Sequence, residues 1–486
     1  MAVSIQQIAL ALLALSISYK IITTAYAAAT SPLRHLPGPF VSNFTNLFLK
    51  RAIISGRRIF YIDDLHKKYG PVVRISPTEV SVGADVDAFK TIHGVSSKYK
   101  KDAWYERLTN FPRLSVFSMR DIKEHGARRR LFARGFSKSY LREMWEPAVR
   151  DRIELAVSRI REDALSNRAD LMKWWTFMAT DIIGVIGYGE SFGLLELGRK
   201  TEYIRVLEAA LKGNGIGAEM PWIRSIGSRL PIRALREAFN SSEYILGYAT
   251  RAVENARKGG SDANLMATIM AEAEKEGGRV DDLDVHTEST SLIFAGSGTT
   301  ANTLTFLSYA VLSRPLLQAA IEDEVATLPD KFNDAELEKL PLLNAVINET
   351  LRLYCAVPGT LPRVVPAGGA TIAGHFVPGD TTIGTQAYTL HRDKAMWKDA
   401  DTFDPSRWYP GHEIDPRARS TFCAFGAGAT SCLGINLAWM ELRYGTALLF
   451  RRCRGLRLAG STTPESMALE NYFVITPKSK RCEVVL

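Results

Sequence analysis

The segment Phe425-Gly426-Ala427-Gly428-Ala429-Thr430-Ser431-Cys432-Leu433-Gly434 sets one sulfur among three glycines, just ahead of an apolar helical pattern. Glycines at 426, 428 and 434 let the backbone take positive-φ turns and approach a flat ligand closely. Cys432 falls at the mouth of the following helix, where unpaired N–H groups and the helix dipole favour a thiolate. A thiolate so placed is a metal ligand. The plainer alternative is an inert, buried cysteine beside a glycine-rich turn. The remaining cysteines, Cys355, Cys423, Cys453 and Cys482, bring the count to five with no C-x-x-C spacing. Neither a zinc site nor a disulfide framework is suggested, and a reducing compartment fits best.

Three further groupings carry chemical potential. Ala295-Gly296-Ser297-Gly298-Thr299-Thr300 interrupts an apolar helical stretch with two glycines and two threonines, at about 1 kcal/mol per glycine. Such a local conflict marks a functional site. A threonine hydroxyl there can bond the carbonyl of residue i−4 and make room for water and dioxygen; packing through small residues is the alternative. Glu349-Thr350-Leu351-Arg352 puts opposite charges on one helical face, surrounded by Val346, Ile347, Leu351 and Leu353. That pair is expected to be buried and to need a further partner, which Arg407 of Phe403-Asp404-Pro405-Ser406-Arg407-Trp408 can supply. Finally, His125 and Arg129 share a basic helix, and Arg363 lies in Pro362-Arg363-Val364. Taken alone, the Arg128–Arg130 run would be a solvated face.

These residues need long elements to position them. The spacing predicts a helix from about Asp282 to Ser313, stopped by Pro315; at roughly 1.5 Å per residue it would exceed about 40 Å. A second helix begins near Pro341 and ends before Pro358. A third starts after Gly434 and carries Ile435, Leu437, Met440, Leu442, Leu448 and Leu449 on its buried side. Short strands are expected around Val72–Ile75, Glu79–Val82, Thr371–Ile372 and Thr381–Gly384. The fold class is therefore mainly α with small β-sheets (α+β).

The 486 residues show no internal repeat, and at 46% apolar composition they can bury one large core. A formal charge of +9 is mild, and without a basic arm or an aromatic-interleaved basic stripe nucleic-acid binding is not expected. Ile8–Tyr19 and the stretch on to Ala29 form an apolar run broken by Lys20. A cleaved leader is the rival reading, with Ala25-Tyr26-Ala27 as the site. Met1–Gln7 lacks a positive residue, whereas Lys20, Arg34, Lys50 and Arg51 follow the run, so an uncleaved anchor with a cytosolic body is favoured. Residues 1–31 are assigned to this anchor, 32–39 to a proline-rich hinge around Leu36-Pro37-Gly38-Pro39, and 40–486 to the catalytic domain.

Taken together, F-x-x-G-x-x-x-C-x-G at Phe425–Gly434, A-G-x-x-T-T at Ala295–Thr300, E-x-x-R at Glu349–Arg352 and Arg407 occur in the order found in the cytochrome P-450 superfamily. The chain resembles its membrane-anchored fungal members of specialised metabolism. The resemblance implies a haem-thiolate monooxygenase with a long central helix over haem b, Cys432 as the axial iron ligand, and Phe425, Gly428 and Gly434 shaping the haem loop. It makes Thr299 and Thr300 catalytic, gives His125, Arg129 and Arg363 to the haem propionates, and makes Glu349, Arg352 and Arg407 a structural triad. It also implies NADPH used indirectly through an NADPH-cytochrome reductase, contact with membrane lipid of the endoplasmic reticulum, and a lipophilic small-molecule substrate. Arg129, Arg451 and Arg452 are candidates for the basic face that meets the reductase, although the last two can equally neutralise a helix C-terminus.

Two departures from the family pattern matter. Thr430 stands where an arginine usually pairs with a propionate, and Gly298 stands where an acid usually relays protons. Two other readings therefore stay open: a haem-thiolate enzyme of oxidative coupling, desaturation or rearrangement, and a non-catalytic haem-binding membrane protein. The Lys101–Ser118 loop and the Leu194–Gly227 segment are expected to set the substrate.

Overall fold

In the computed structural model, which describes residues 4–239, 247, 250, 254, 258, 264–275 and 280–486, helices carry the chain and strands are short. The helices that position the site are α1 (Ile5–Thr30), α2 (Val86–His93), α3 (Trp104–Thr109), α4 (Ile122–Ala133), α5 (Glu146–Ser166), α6 (Leu171–Tyr188), α7 (Glu202–Glu219), α8 (Asp282–Leu312), α9 (Pro341–Tyr354) and α10 (Ile435–Arg452). The three helices predicted from the sequence are α8, α9 and α10, and their ends follow local chemistry. The Asp281 carboxylate accepts the Asp284 N–H at 2.8 Å and so caps α8. Pro341 opens α9 at a position whose N–H would be unpaired in any case.

Helix α8 is buried around most of its circumference from Thr300 to Leu312 and packs along α6, itself apolar on nearly every face. Gly296 belongs to that contact. A Cβ added there would lie 3.0 Å from the Ile183 side chain, so small-residue packing explains this glycine. Helix α10 packs against α5 and α8. Leu437, Met440, Leu442, Leu448 and Leu449 are buried as expected, each contributing about 1.5–3 kcal/mol. Ile435 is only half-buried, because the first turn of α10 borders a polar cleft with Asn436 and Arg443.

The largest sheet has five strands, β1 (Val72–Arg74), β2 (Glu79–Val82), β3 (Lys100–Lys101), β4 (Arg363–Val364) and β5 (Thr382–Thr385), in the order β1-β2-β5-β4-β3. β2 and β5 run parallel, with Val80 beside Ile383, and the other pairs are antiparallel. The strands expected near residues 72, 79 and 381 are β1, β2 and β5. The one near 371 pairs separately, as Ala370–Ile372 with His375–Val377. The edge pair β3–β4 has no alternating pattern to betray it, yet it sets Lys101 directly opposite Arg363.

Helix α1 stands away from this body. It is 26 residues long and is the one helix among the described residues long and apolar enough to cross a membrane. At 1.5 Å per residue it reaches about 39 Å, against a hydrocarbon core of about 30 Å. Beyond it, Leu33 and Leu36 are buried with Val72, Val80 and Ile383, so the proline turn is pinned to the sheet.

The Glu349–Arg352 pair lies at the centre of the body with both side chains fully buried. Arg352 donates Nε and Nη2 to Glu349 at 2.9 and 2.8 Å, and its other N–H groups to the carbonyls of His391, Ala400 and Thr402. Arg407 adds a contact to Glu349 at 3.3 Å, completing the expected triad. Removing one member of such a pair strands the other charge. Arg352→Ala is therefore expected to cost about 3–5 kcal/mol. Arg407→Ala, which breaks one longer contact to Glu349 and one bond to the Asp399 carbonyl, should cost clearly less. Thermal unfolding midpoints of the two variants check this ranking, and equal midpoints would refute it.

Candidate active site

The cysteine loop is seated by its glycines. Gly426 and Gly428 have φ of +72° and +60°, and a Cβ on Gly428 would come within 2.1 Å of the His93 carbonyl at the end of α2. The Cys432 N–H donates to the Phe425 carbonyl at 2.8 Å, which closes the loop on itself. The thiol is accessible only because it faces an internal cavity lined by Phe425, Gly434, Thr299 and Thr300. Burial pushes its pKa up, while the Gly434 N–H and the Arg129 guanidinium pull it down less strongly. The Gly434 N–H at the helix mouth thus favours the thiolate, as the sequence suggests, against the cost of burial. A cation bound at the sulfur would stabilise the thiolate further.

Along one edge of the cavity four basic side chains converge: Lys101, His125, Arg129 and Arg363. Lys101 and Arg363 are cross-strand neighbours, and like charges placed directly opposite repel. Burial, then Arg363 and Arg129, bring the Lys101 pKa down to about 7. Burial, then Lys101, Arg129 and Arg363, bring that of His125 down to about 4. Arg363 donates Nη2 to the Thr430 hydroxyl at 2.6 Å, and its Nη1 is buried without a partner. Arg129 holds the loop, donating to the Ser431 carbonyl at 2.6 Å.

Arg129 is thus engaged with the cysteine loop. Arg451 and Arg452 are engaged as well, with Asp330 at 3.3 Å and Glu154 at 2.9 Å. The sequence reading missed Lys101. Only the β3–β4 register identifies it.

The opposite wall is α8. Thr299 donates its hydroxyl to the Ala295 carbonyl at 2.7 Å, and Thr303 donates likewise to the Thr299 carbonyl at 2.9 Å. Thr300 shares a hydrogen bond with Glu441 of α10. Glu441 is buried, lines the cavity, and has its pKa raised by desolvation to about 8. It is thus a neutral acid at neutral pH, sited near the motif in which Gly298 brings no carboxyl. A cross-helix contact of this kind leaves no mark in sequence spacing.

The cavity holds about 340 Å³ and is mainly apolar. The residues present fit a flat, iron-bearing group with acidic arms. A soft sulfur ligand projects into the space, glycines clear the loop beside it, and one edge carries uncompensated cations with an orphaned buried N–H. Those are the features of haem b.

Comparison with known proteins agrees. A family model described as "Cytochrome P450" matches residues 36–484. The chain is 40% identical over 469 residues to the cytochrome P450 monooxygenase stcB of Emericella nidulans, covering 94% of this chain and 89% of that one. It is 39% identical over 477 residues to the cytochrome P450 monooxygenase aflV of Aspergillus parasiticus, covering 96% and 93%. It is also 30% identical over 454 residues to the benzoate 4-monooxygenase bphA of Aspergillus niger, covering 86% and 87%.

The raised pKa of Glu441 has a consequence for stability. Its ordinary value is 4.5. Between there and about 8 the folded state holds a proton that the unfolded state has lost, so folding weakens as pH rises through this window. Glu441→Gln removes that dependence. The variant's unfolding midpoint should gain on the wild type steadily from pH 5 to pH 8 and then level off. A constant difference across the range would show that Glu441 is ionised in the fold.

Proposed function

The chain belongs to the cytochrome P450 family and is a haem-dependent monooxygenase, and on that premise we propose that it inserts one oxygen atom from dioxygen into a C–H bond of a lipophilic small molecule in specialised (secondary) metabolism. One observation carries the reading. The Cys432 thiol opens into an apolar cavity walled by Thr299 and edged by unneutralised cations. When bound, the haem supplies a redox-active, oxygen-binding iron whose cysteine ligation favours O–O cleavage. Overall, R–H, O2, two electrons and two protons give R–OH and water.

The chain's own residues divide the work. Cys432 is the iron ligand, and Phe425, Gly428 and Gly434 let its loop lie flat. Lys101, His125, Arg129 and Arg363 hold the acidic arms, with Thr430 orienting Arg363. Thr299 and Thr300 present hydroxyls to the reacting space, and Glu441 keeps a proton on the Thr300 side. That neutral acid answers the want of a carboxyl at Gly298 and supports dioxygen-dependent chemistry over a rearrangement that needs no external oxygen. The Glu349–Arg352–Arg407 triad fixes the frame.

Electrons come from NADPH through a partner reductase of the cytochrome type. Residues 1–31 form the anchor, 32–39 a hinge and 40–486 the catalytic domain. The exposed apolar surface of α1 supports a place in a membrane, and the basic residues that follow it support a cytosolic body at the endoplasmic reticulum. Similarity to fungal monooxygenases over almost the whole chain supports the metabolic setting.

The carbon monoxide difference spectrum of the reduced protein in its own membrane fraction tests the assignment. A strongly red-shifted Soret band is expected in the wild type and should vanish in Cys432→Ala; an unchanged spectrum would sink the ligand assignment. Thr299→Ala should raise peroxide released per NADPH several-fold while product falls. Equal coupling in both proteins would remove Thr299 from the mechanism.

A further inference from the structure

Away from the cationic edge and the α8 wall, the cavity's polar lining is sparse. Asn214 of α7 is the amide there, 5% exposed. Its Oδ1 lies 3.3 Å from Nη2 of Arg224. A guanidinium has only donors, so the amide oxygen must face it and the amide nitrogen must turn the other way. No acceptor among the described residues meets that nitrogen.

Arg224 is itself unusual. It donates to the Arg107 carbonyl at 2.6 Å, its Nε is buried without a partner, and it makes no ion pair among the described residues. Burial, with Arg107 nearby, lowers its pKa to about 10. A cation bonded to Oδ1 polarises the amide and strengthens the N–H groups on its far side.

The rest of this region is aromatic. Tyr105 and Phe117 lie 5.2 Å apart between ring centroids, Phe117 and Phe473 6.1 Å, and Phe111 and Phe294 6.2 Å. All five rings line the cavity. Such rings favour stacked or edge contacts with another ring.

We propose that Asn214, backed by Arg224, is a specificity-determining residue that donates a hydrogen bond to an electron-rich oxygen, a carbonyl or phenolate, on an aromatic substrate held among these rings. This deepens the proposed function and rests on it: the reacting carbon lies toward Cys432 and the oxygen toward α7. The cost of an unmet donor makes the site discriminate against the matching hydrocarbon. One such bond is worth about tenfold in affinity.

The test uses two probes of one ring frame, 9-fluorenone with a carbonyl and fluorene without, titrated by haem spectral shift into the full-length holoenzyme. The wild type should bind the ketone about tenfold more tightly. N214L should abolish the preference while leaving fluorene affinity within about threefold, and R224Q should reduce the preference part-way. An intact carbon monoxide spectrum in every protein keeps this result separate from the haem assignment; its absence in the wild type would instead overturn the proposed function. Equal binding of the two probes by the wild type overturns the proposal, as does binding of neither. So does an undiminished ketone preference in N214L or, should N214L not hold haem, in R224Q.

Discussion

Five donors converge on the carboxylate of Glu349 in a place that water does not reach: two from Arg352, one each from Arg407 and the Trp408 indole, and the Asp404 N–H. A buried charge persists only when so surrounded. The arrangement matters because it continues into the active site. Arg352 donates to the His391 carbonyl, and the His391 ring lies 3.0 Å from the Arg352 carbonyl. The other ring nitrogen accepts the Cys423 N–H at 2.9 Å. Cys423 in turn accepts the Gly426 N–H, and Phe425 accepts that of Cys432. Hydrogen bonds and the Phe425–Gly426 peptide therefore link the ion pair to the backbone of Cys432. Burial drives the His391 pKa down to about 3, which keeps the ring neutral, and donation to the Arg352 carbonyl leaves the other nitrogen free to accept the Cys423 N–H.

The cationic edge obeys the opposite logic. Glu349 is saturated with partners, whereas Lys101, Arg129 and Arg363 repel one another, help burial to keep His125 neutral, and leave a buried N–H unmet. A fold tolerates such a conflict where a ligand resolves it. This also gives Thr430 a physical reason. Lys101 already places a cation against Arg363, so a further guanidinium in the loop would add repulsion. A hydroxyl that accepts from Arg363 holds that side chain in position without adding charge.

Legibility in the sequence tracked the dimension of each signal. Helices α8, α9 and α10 were readable because period, caps and prolines are one-dimensional, and so were Cys432 and the Glu349–Arg352 pair, each defined by spacing along one segment. Lys101 owes its place to a two-residue strand pairing, Glu441 to a contact between two helices, His391 to a link between segments, and Asn214 to the partner that orients its amide. None of these leaves a periodic trace.

Anion-holding and proton-holding are kept apart within the one cavity. Three cations act on the pKa of His125, but none contributes appreciably at Glu441, where desolvation raises the value and the Thr300 hydroxyl alone opposes it. A cation near Glu441 would stabilise its carboxylate and strip it of the proton at neutral pH. Burial with no cation to oppose it is thus what keeps the acid neutral. Neutralising the cationic edge would therefore leave the acid unchanged. One mainly apolar cavity is thus lined both by cations suited to an anionic group and by a buried acid that keeps its proton.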